Sequence, residues 1–553
     1  MPLSSTEART VAFMDIGTNS IRLLLVRFLP NHSYTILTQL KHMVRLGEGE
    51  FTQQHLQPQA MARAGLVVRQ FAGLARAHGA DEIIAVATAA TREADNQDVF
   101  IARLQAAAQL DVRVVSGPEE ARLIYLGVSS GIHIGDRQAF FFDIGGGSTE
   151  VIIGTQHQHS YIGSLKLGAI RLTTHFLPDE RGQVSLQKYA DIQRYVRHHA
   201  VRTIRELRAY RIDLAIGSSG TIQNLADVAA RQFQKRPLQR DDVLTHAHLK
   251  QVVAMLAALP IEERRKVPGL NPERADIVLA GAAILDAFMQ ALEVTDILVS
   301  ERGLREGLLV DYLLKHEDAA LLADMSVRTR SVLQLGRACN FDEAHARTTT
   351  RLALGLFDSA REARLHRLGA WERELLEYTA LLHHIGAFLT YTDYQAHTYY
   401  LIRNANLLGF DQKEIAIMAT TALYQRKTLS RKKHPEFAAL DTRSQQIVRV
   451  LSVFLRLAEN LDRGHAGLVQ QAQLYPVDPK QVALHIYAPH DCQVEVWGIH
   501  KHAEAFEKVF GQRLVVRVMS SLRGPAGPSE AGKRATPSDL AAAALPTRPL
   551  HPA

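Results

Sequence analysis

Two short stretches of the chain carry the same arrangement of an acid, glycine and small hydroxyl residues. Asp15-Ile16-Gly17-Thr18-Asn19-Ser20 and Asp143-Ile144-Gly145-Gly146-Gly147-Ser148 share Asp-Ile-Gly and a serine three residues after that glycine. Glycine admits positive φ and lets backbone N–H groups approach an anion closely, which is how a turn cradles phosphate. The hydroxyls add donors, and an aspartate at the preceding strand end can hold Mg2+ directly or through water. A single Gly-rich hairpin is ordinarily just a tight turn. Two copies, with Asp143 and Glu150 bracketing Gly145-Gly146-Gly147-Ser148-Thr149, point instead to facing hairpins of two similar halves. Arg22 holds the place in the first copy that Glu150 holds in the second, which suits a metal and phosphates held between them.

Three further segments leave a strand and enter a helix. Gly217-Ser218-Ser219-Gly220-Thr221 follows the strand-like Leu214–Ile216 and precedes a helix expected from Ile222. Free N–H groups and the helix dipole would there offer Gly217, Ser219, Gly220 and Thr221 to another phosphate. Ser116-Gly117-Pro118-Glu119-Glu120-Ala121-Arg122 sets two carboxylates at a helix start. They read either as ordinary N-terminal acids or as a carboxylate that aligns and deprotonates water beside a bound phosphate. In Thr88-Ala89-Ala90-Thr91-Arg92-Glu93-Ala94-Asp95-Asn96, Arg92 is a bidentate phosphate clamp or half of a surface ion pair. No Gly-x4-Gly-Lys-Ser/Thr motif occurs, which excludes a P-loop NTPase.

The elements that must position these residues alternate between strand and helix. Val11–Met14, Ile21–Phe28, Tyr34–Leu40, Ile83–Ala87, Val112–Val115, Ala139–Asp143 and Glu150–Thr155 are β-rich. Ala60–His78, Val99–Leu110 and the stretch from Pro118 to Ser130 have helical spacing, so the first half is an α/β core. After about Lys315 the pattern becomes all-helical, as in Thr348–Leu365, Glu372–Leu382 and Gln445–Asn460. Val482–Tyr487 and Gln493–Gly498 read as short strands. Residues 520–553 hold six of the 19 prolines and are expected to be a disordered tail. In the helical half His345, then His383-His384, then Glu459 and Asp462 resemble the H…HD…D order of divalent-metal bundles. His384 stands where an aspartate belongs and Glu459 where the last acid belongs, so a bundle that has lost its metal is expected.

The 553 residues, 46% hydrophobic and 22% charged, exclude a fibrous or wholly disordered chain. Two cysteines exclude a disulfide framework and fit a reducing cytosol. No apolar run is long enough for a membrane span, and the start, Met1 to Arg9, lacks a signal-peptide stretch. The net charge of +7 leaves both a solvated basic face and a polyanion site open, with no motif for specific nucleic-acid binding.

Taken in order, DIGTNSIRLLL, TAATREADN, SGPEEARLIYLGV, FFDIGGGSTEVI, IGSSGTIQNLA and ERGLREGLL resemble the exopolyphosphatase / guanosine pentaphosphate phosphohydrolase family. LHHIGAFLTYTDYQAHTYYLIRNANLLGF resembles the HD-like domain of its longer members. The resemblance runs from about Thr10 to Val518. It implies two ribonuclease-H-like lobes of the actin–Hsp70–sugar kinase superfold, at 1–135 and 136–318. An HD-like helical domain with degenerate ligands at 319–475 and a small α+β region at 476–519 would follow. It further implies that Glu120 is the general base and that Asp143 and Glu150 hold Mg2+, with a monovalent cation such as K+ as a second candidate. Asp15, Gly17, Thr18, Asn19, Ser20, Arg22, Arg92 and the residues from Gly145 to Thr149 would bind phosphate. The implied substrate is inorganic polyphosphate or guanosine pentaphosphate, and the implied assembly is a cytoplasmic homodimer. A sugar or acetate kinase, a sensor that binds without cutting, and a live HD phosphohydrolase are the alternatives. Basic residues such as Arg403, Arg426, Lys427 and Lys432 would guide a long polyanion.

Overall fold

In the computed structural model, residues 8–178, 181–316, 325–426 and 435–519 are described. The first sheet contains β1 (Arg9–Ile16), β2 (Ser20–Phe28), β3 (Tyr34–Met43), β4 (Glu82–Ala87) and β5 (Val112–Val114), in the order β3-β2-β1-β4-β5. The second contains β6 (Ala139–Ile144), β7 (Thr149–Gly154), β8 (His159–Leu165), β9 (Leu214–Ser218), β10 (Val243–Thr245) and β11 (Asp296–Val299), in the order β10-β11-β9-β6-β7-β8. Apart from β10 the two sheets have one topology. Three antiparallel strands lead, and two strands parallel to the first follow by crossover connections. β1 and β6 lie in the interior of their sheets, so their runs are apolar on both faces.

The two lobes exchange helices. Helix Gly117–Ser129 follows β5 of the first lobe, yet it packs on the second sheet. Tyr125 meets Phe141 edge-on with ring centroids 5.2 Å apart and donates its hydroxyl to Thr155 O at 3.0 Å. Helix Leu304–Lys315 follows β11 of the second lobe and packs on the first sheet, where Tyr312 lies 5.6 Å from Phe13 and 5.2 Å from Phe28. The helices cross at Gly127 and Gly307. A Cβ on Gly127 would stand 2.0 Å from Gly303 O, and one on Gly307 1.9 Å from Leu123 O. Only glycine permits so close an approach, and one core formed by both helices and both sheets results.

Among the described residues between 325 and 465, six helices of eleven or more residues form a bundle: Val327–Ala338, Glu343–Glu362, Ala370–Leu382, Tyr394–Asn404, Gln412–Tyr424 and Thr442–Leu461. A third sheet of β12 (Gln471–Asp478), β13 (Gln481–Tyr487) and β14 (Arg513–Met519) shares the bundle's core, with Leu474, Val482 and Leu484 in one buried cluster with Phe357 and Phe454. One expectation is overturned here. Gln493–Gly498 opens the 18-residue helix Gln493–Phe510 and is not a strand. Val494 and Val496 suggest alternation, but Val494 is exposed, and Val496, Ile499, Ala503, Phe506 and Phe510 face the core at helical spacing. Likewise Gly217 and Ser218 end β9, and the next helix begins at Ser219 without an intervening loop. The tail expected over 520–553 and the basic Lys427 and Lys432 lie outside the described residues. Among the described residues no helix is long and apolar enough to cross a membrane.

Candidate active site between the two lobes

The two hairpins share one backbone turn. Gly17 N donates to Ser20 O at 3.1 Å, and Gly145 N donates to Ser148 O at 2.9 Å. Asp15 stands opposite Arg22 in the first register, and Asp143 stands opposite Glu150 in the second. The equivalence read from the sequence therefore holds in the backbone. In the second hairpin, Ala169 N and Ile170 N donate to the carbonyls of Gly145 (3.0 Å) and Gly146 (2.9 Å). A trans peptide points its N–H opposite to its carbonyl. The N–H groups of Gly146 and Gly147 thus face away from that helix, as an anion cradle requires.

The hairpins face one another across a cleft. Asp15, Gly17, Thr18, Asn19, Ser20, Arg22 and Glu120 line it from the first lobe. Asp143, Gly145, Gly146, Ser148, Ser219 and Gly220 line it from the second. The remaining expected residues stand behind this surface. Arg92 Nη1 donates to Glu120 Oε2 at 2.8 Å and to Val115 O at 2.9 Å. Glu150 is fully buried and accepts from Ser164 Oγ at 2.9 Å. Thr149 Oγ1 donates to Leu167 O at 2.6 Å, and Thr221 Oγ1 to Ile144 O at 3.4 Å. Gly147 lies under the Phe51 ring, and Gly217 packs between Ile222 and Ile297.

The cleft also holds residues that the sequence did not single out. Ser218 Oγ donates to Asp143 Oδ2 at 2.5 Å, and Gln223 anchors on Ser300 O at 2.9 Å. Arg274, from the short Pro272–Arg274 turn, is buried against Gly220. Nothing near Arg274 in sequence marks it, whereas Ser218 lies inside a segment that was already conspicuous.

Several buried polar atoms of this cleft have no hydrogen-bond partner: Asp15 Oδ1, both amide atoms of Asn19, Ser219 Oγ and Arg274 Nε. Leaving a buried polar group unpaired costs about 1–3 kcal/mol. Ser219 also adopts φ 83°, a strained value for a non-glycine residue. Such a concentration of cost, drawn from both lobes into one cleft, is the mark of a binding site.

Burial sets the electrostatics. It raises Asp15 to about 6 against the pull of Arg22, and raises Glu120 to about 7 against the pull of Arg92. Asp143 is likewise raised by burial, and Glu150 is held well above the usual carboxylate range by burial and by Glu120 and Asp143. Arg274 is lowered to about 10 by burial and by Arg22. Acids that repel one another and cations that repel one another in one cleft suit a bound cation and a bound anion together. Among the described residues no three His, Cys, Asp or Glu side chains form a metal-ligand group. Mg2+ nevertheless fits, because it keeps several waters and takes one or two carboxylates plus phosphate oxygens. Asp143 and the unpaired oxygen of Asp15 are carboxylate groups of the kind such an ion takes, whereas Glu150, the other ligand expected from the sequence, stands behind the cleft surface on Ser164.

The helical half is different. His345 Nδ1 pairs with Asp462 Oδ2 at 2.8 Å, so Asp462 occupies the place the sequence reading gave to Glu459. Glu459 instead pairs with Arg426 at 2.9 Å. His465 stacks on His345 with ring centroids 3.6 Å apart. Burial lowers His383 well below its ordinary value and lowers His384 to about 4, so both are neutral near pH 7.

Comparison with known proteins bears on both halves. Residues 26–316 match the Ppx/GppA phosphatase family, and residues 327–491 match domain III of that family. Among solved structures, an exopolyphosphatase from Cytophaga hutchinsonii is 27% identical with a TM-score of 0.53, over 56% of this chain and 99% of that one. An exopolyphosphatase-like protein is 26% identical with a TM-score of 0.51, over 55% of this chain and 98% of the other.

Proposed function

Because the chain belongs to the Ppx/GppA phosphatase family, we propose that it removes the terminal phosphate of inorganic polyphosphate as orthophosphate. The observation that carries this reading is the set of unpaired buried polar atoms converging from both lobes. In this proposal the N–H group of Gly146 and the Ser148 and Ser20 hydroxyls hold the terminal phosphate, with Arg22 and Arg274 on its charge. Asp143 and Asp15 would hold Mg2+, with Ser218 orienting Asp143 and Glu150 lying behind it. When bound, Mg2+ would neutralise charge on the phosphate oxygens as the anhydride bond stretches.

Glu120 is the general base of the proposal. A carboxyl raised to about 7 is basic enough to take a proton from water near neutrality, yet still ionised in part. Arg92 fixes its outer oxygen and so sets the direction from which the water attacks. The HD-like bundle, the cytoplasmic homodimer and guanosine pentaphosphate as an alternative substrate belong to the same proposal.

The test is phosphate release from long-chain polyphosphate and from guanosine pentaphosphate, side by side with Mg2+, by the native chain and by Glu120→Gln. Release from polyphosphate that disappears in the variant supports the proposal. Faster release from the nucleotide transfers it to a guanosine pentaphosphatase. No Glu120-dependent release from either substrate overturns both and leaves a protein that binds without cutting.

A further inference from the structure

One arginine outside the cleft touches three parts of its machinery at once. Arg171 lies in helix Ala169–Phe176 of the second lobe. Its Nε donates to Gly147 O at 2.8 Å, and its Nη2 donates to Glu93 Oε1 of the first lobe at 2.9 Å. Its guanidinium covers the ring of Phe51, also of the first lobe, at 4.1 Å. Phe51 in turn packs with Ala169, Ile170 and Ile277 of the second lobe. The contact is largely dry: the Arg171 and Glu93 side chains are 18% and 13% exposed.

Each end of this bridge leads to a site residue. On the second lobe, Arg171 completes a series in which the carbonyls of Gly145, Gly146 and Gly147 are taken in turn by Ala169, Ile170 and Arg171. By peptide planarity the last of these bonds turns the N–H of Ser148 away from the helix. On the first lobe, Glu93 ends the five-residue helix Ala89–Glu93. The residue before it, Arg92, is the cation that holds Glu120.

We propose that Arg171 is a positioning residue that couples the glycine cradle of one lobe to the Arg92–Glu120 pair of the other through Glu93, whose second oxygen also pairs with Lys166 of the second lobe at 3.0 Å. This rests on the reading of Glu120 as the base and of the second hairpin as the phosphate cradle. A planar fork is required, since Nε and Nη2 serve opposite lobes from one rigid group. Lysine supplies the charge without the fork. A purely structural ion pair would change stability alone, whereas misplacing reacting groups by about 1 Å costs on the order of a hundredfold in rate.

The experiment compares Arg171→Lys, Arg171→Gln, Glu93→Ala and the Arg171→Gln/Glu93→Ala pair. For phosphate release, kcat should fall by about ten- to a hundredfold in each single variant with KM changing less. The double variant should cost no more than the worse single one. The acid limb of kcat/KM, governed by Glu120 among Arg92, Asp15, Asp143 and Glu150, should move to higher pH as Arg92 loosens. Amide hydrogen exchange supplies a readout independent of turnover. In Glu93→Ala, the Ala169, Ile170 and Arg171 amides of the opposite lobe should exchange faster than in the native chain. If the native chain releases no phosphate, the functional reading fails while the exchange result still decides the coupling. Unchanged exchange at these three amides, or additive losses in the double variant, overturns the role assigned to Arg171.

Discussion

The hairpin at Asp15 and the hairpin at Asp143 have one backbone and opposite partners. The first sets arginine across from its aspartate, and the second sets glutamate there. Burial raises both aspartates, but only the second has a serine hydroxyl on its carboxylate and a second acid behind it. The repeated turn therefore keeps one glycine-to-serine backbone bond on both sides, while a single side chain on the return strand sets the charge opposite each aspartate. Chemistry has diverged at the side chains while the turn has stayed fixed.

The largest effect is expected where both hairpins depend on one group. Glu120→Gln should lower kcat by about 10²–10⁴-fold, measured as phosphate release under saturating Mg2+. Next come two variants that separate the hairpins. Arg22→Gln should raise KM by about tenfold or more, the loss of a charged hydrogen bond, with little change in the Mg2+ concentration giving half-maximal rate. Ser218→Ala should do the reverse, raising that Mg2+ concentration by about tenfold through a loosened Asp143 and leaving KM close to native. If both variants move both quantities together, the division of labour between the hairpins is wrong.

A smaller effect concerns pH. Glu120 must be ionised to act as a base, so kcat/KM should be lost as pH falls through about 7. In Arg92→Gln this limb should move upward, since the cation that favours the carboxylate is gone. An unmoved limb would show that Arg92 does not govern Glu120. The smallest effect is thermal. A carboxyl raised from its ordinary range to about 7 contributes stability that is present below pH 4.5 and lost as pH rises through 7. In the presence of a chelator, Glu120→Gln should therefore melt at a higher temperature relative to the native chain at pH 8 than it does at pH 5. A Tm difference independent of pH would contradict the buried, unpaid ionisation assigned to this group.

The hairpins, their strands and the opposition of Arg22 to Glu150 were legible in the sequence, because short turns and apolar strands are locally encoded. Gln493–Gly498 was misread because Val494 and Val496 alternate over a window shorter than a helical turn and a half. Arg274 and Arg171 were invisible for another reason: each reaches the site from a segment whose own pattern is ordinary. Asp462 displaced Glu459 beside His345 because the end of helix Thr442–Leu461 sets which acid turns inward. The crossing of helices between lobes left no trace either, since an apolar helix face does not state which sheet it will cover.

That crossing has a consequence for how the chain must be made. The face of the first sheet that carries Phe13 and Phe28 is closed by Tyr312, which is synthesised only after the whole second lobe. At about 5–20 residues per second, that face waits roughly fifteen to sixty seconds on the ribosome before its cover emerges. Helix Gly117–Ser129 waits far less, because β6, β7 and β8, on which it packs, are complete by Leu165. The first lobe is thus a nascent intermediate with exposed aromatic surface, and a chain released before Lys315 should be a chaperone client rather than a smaller domain.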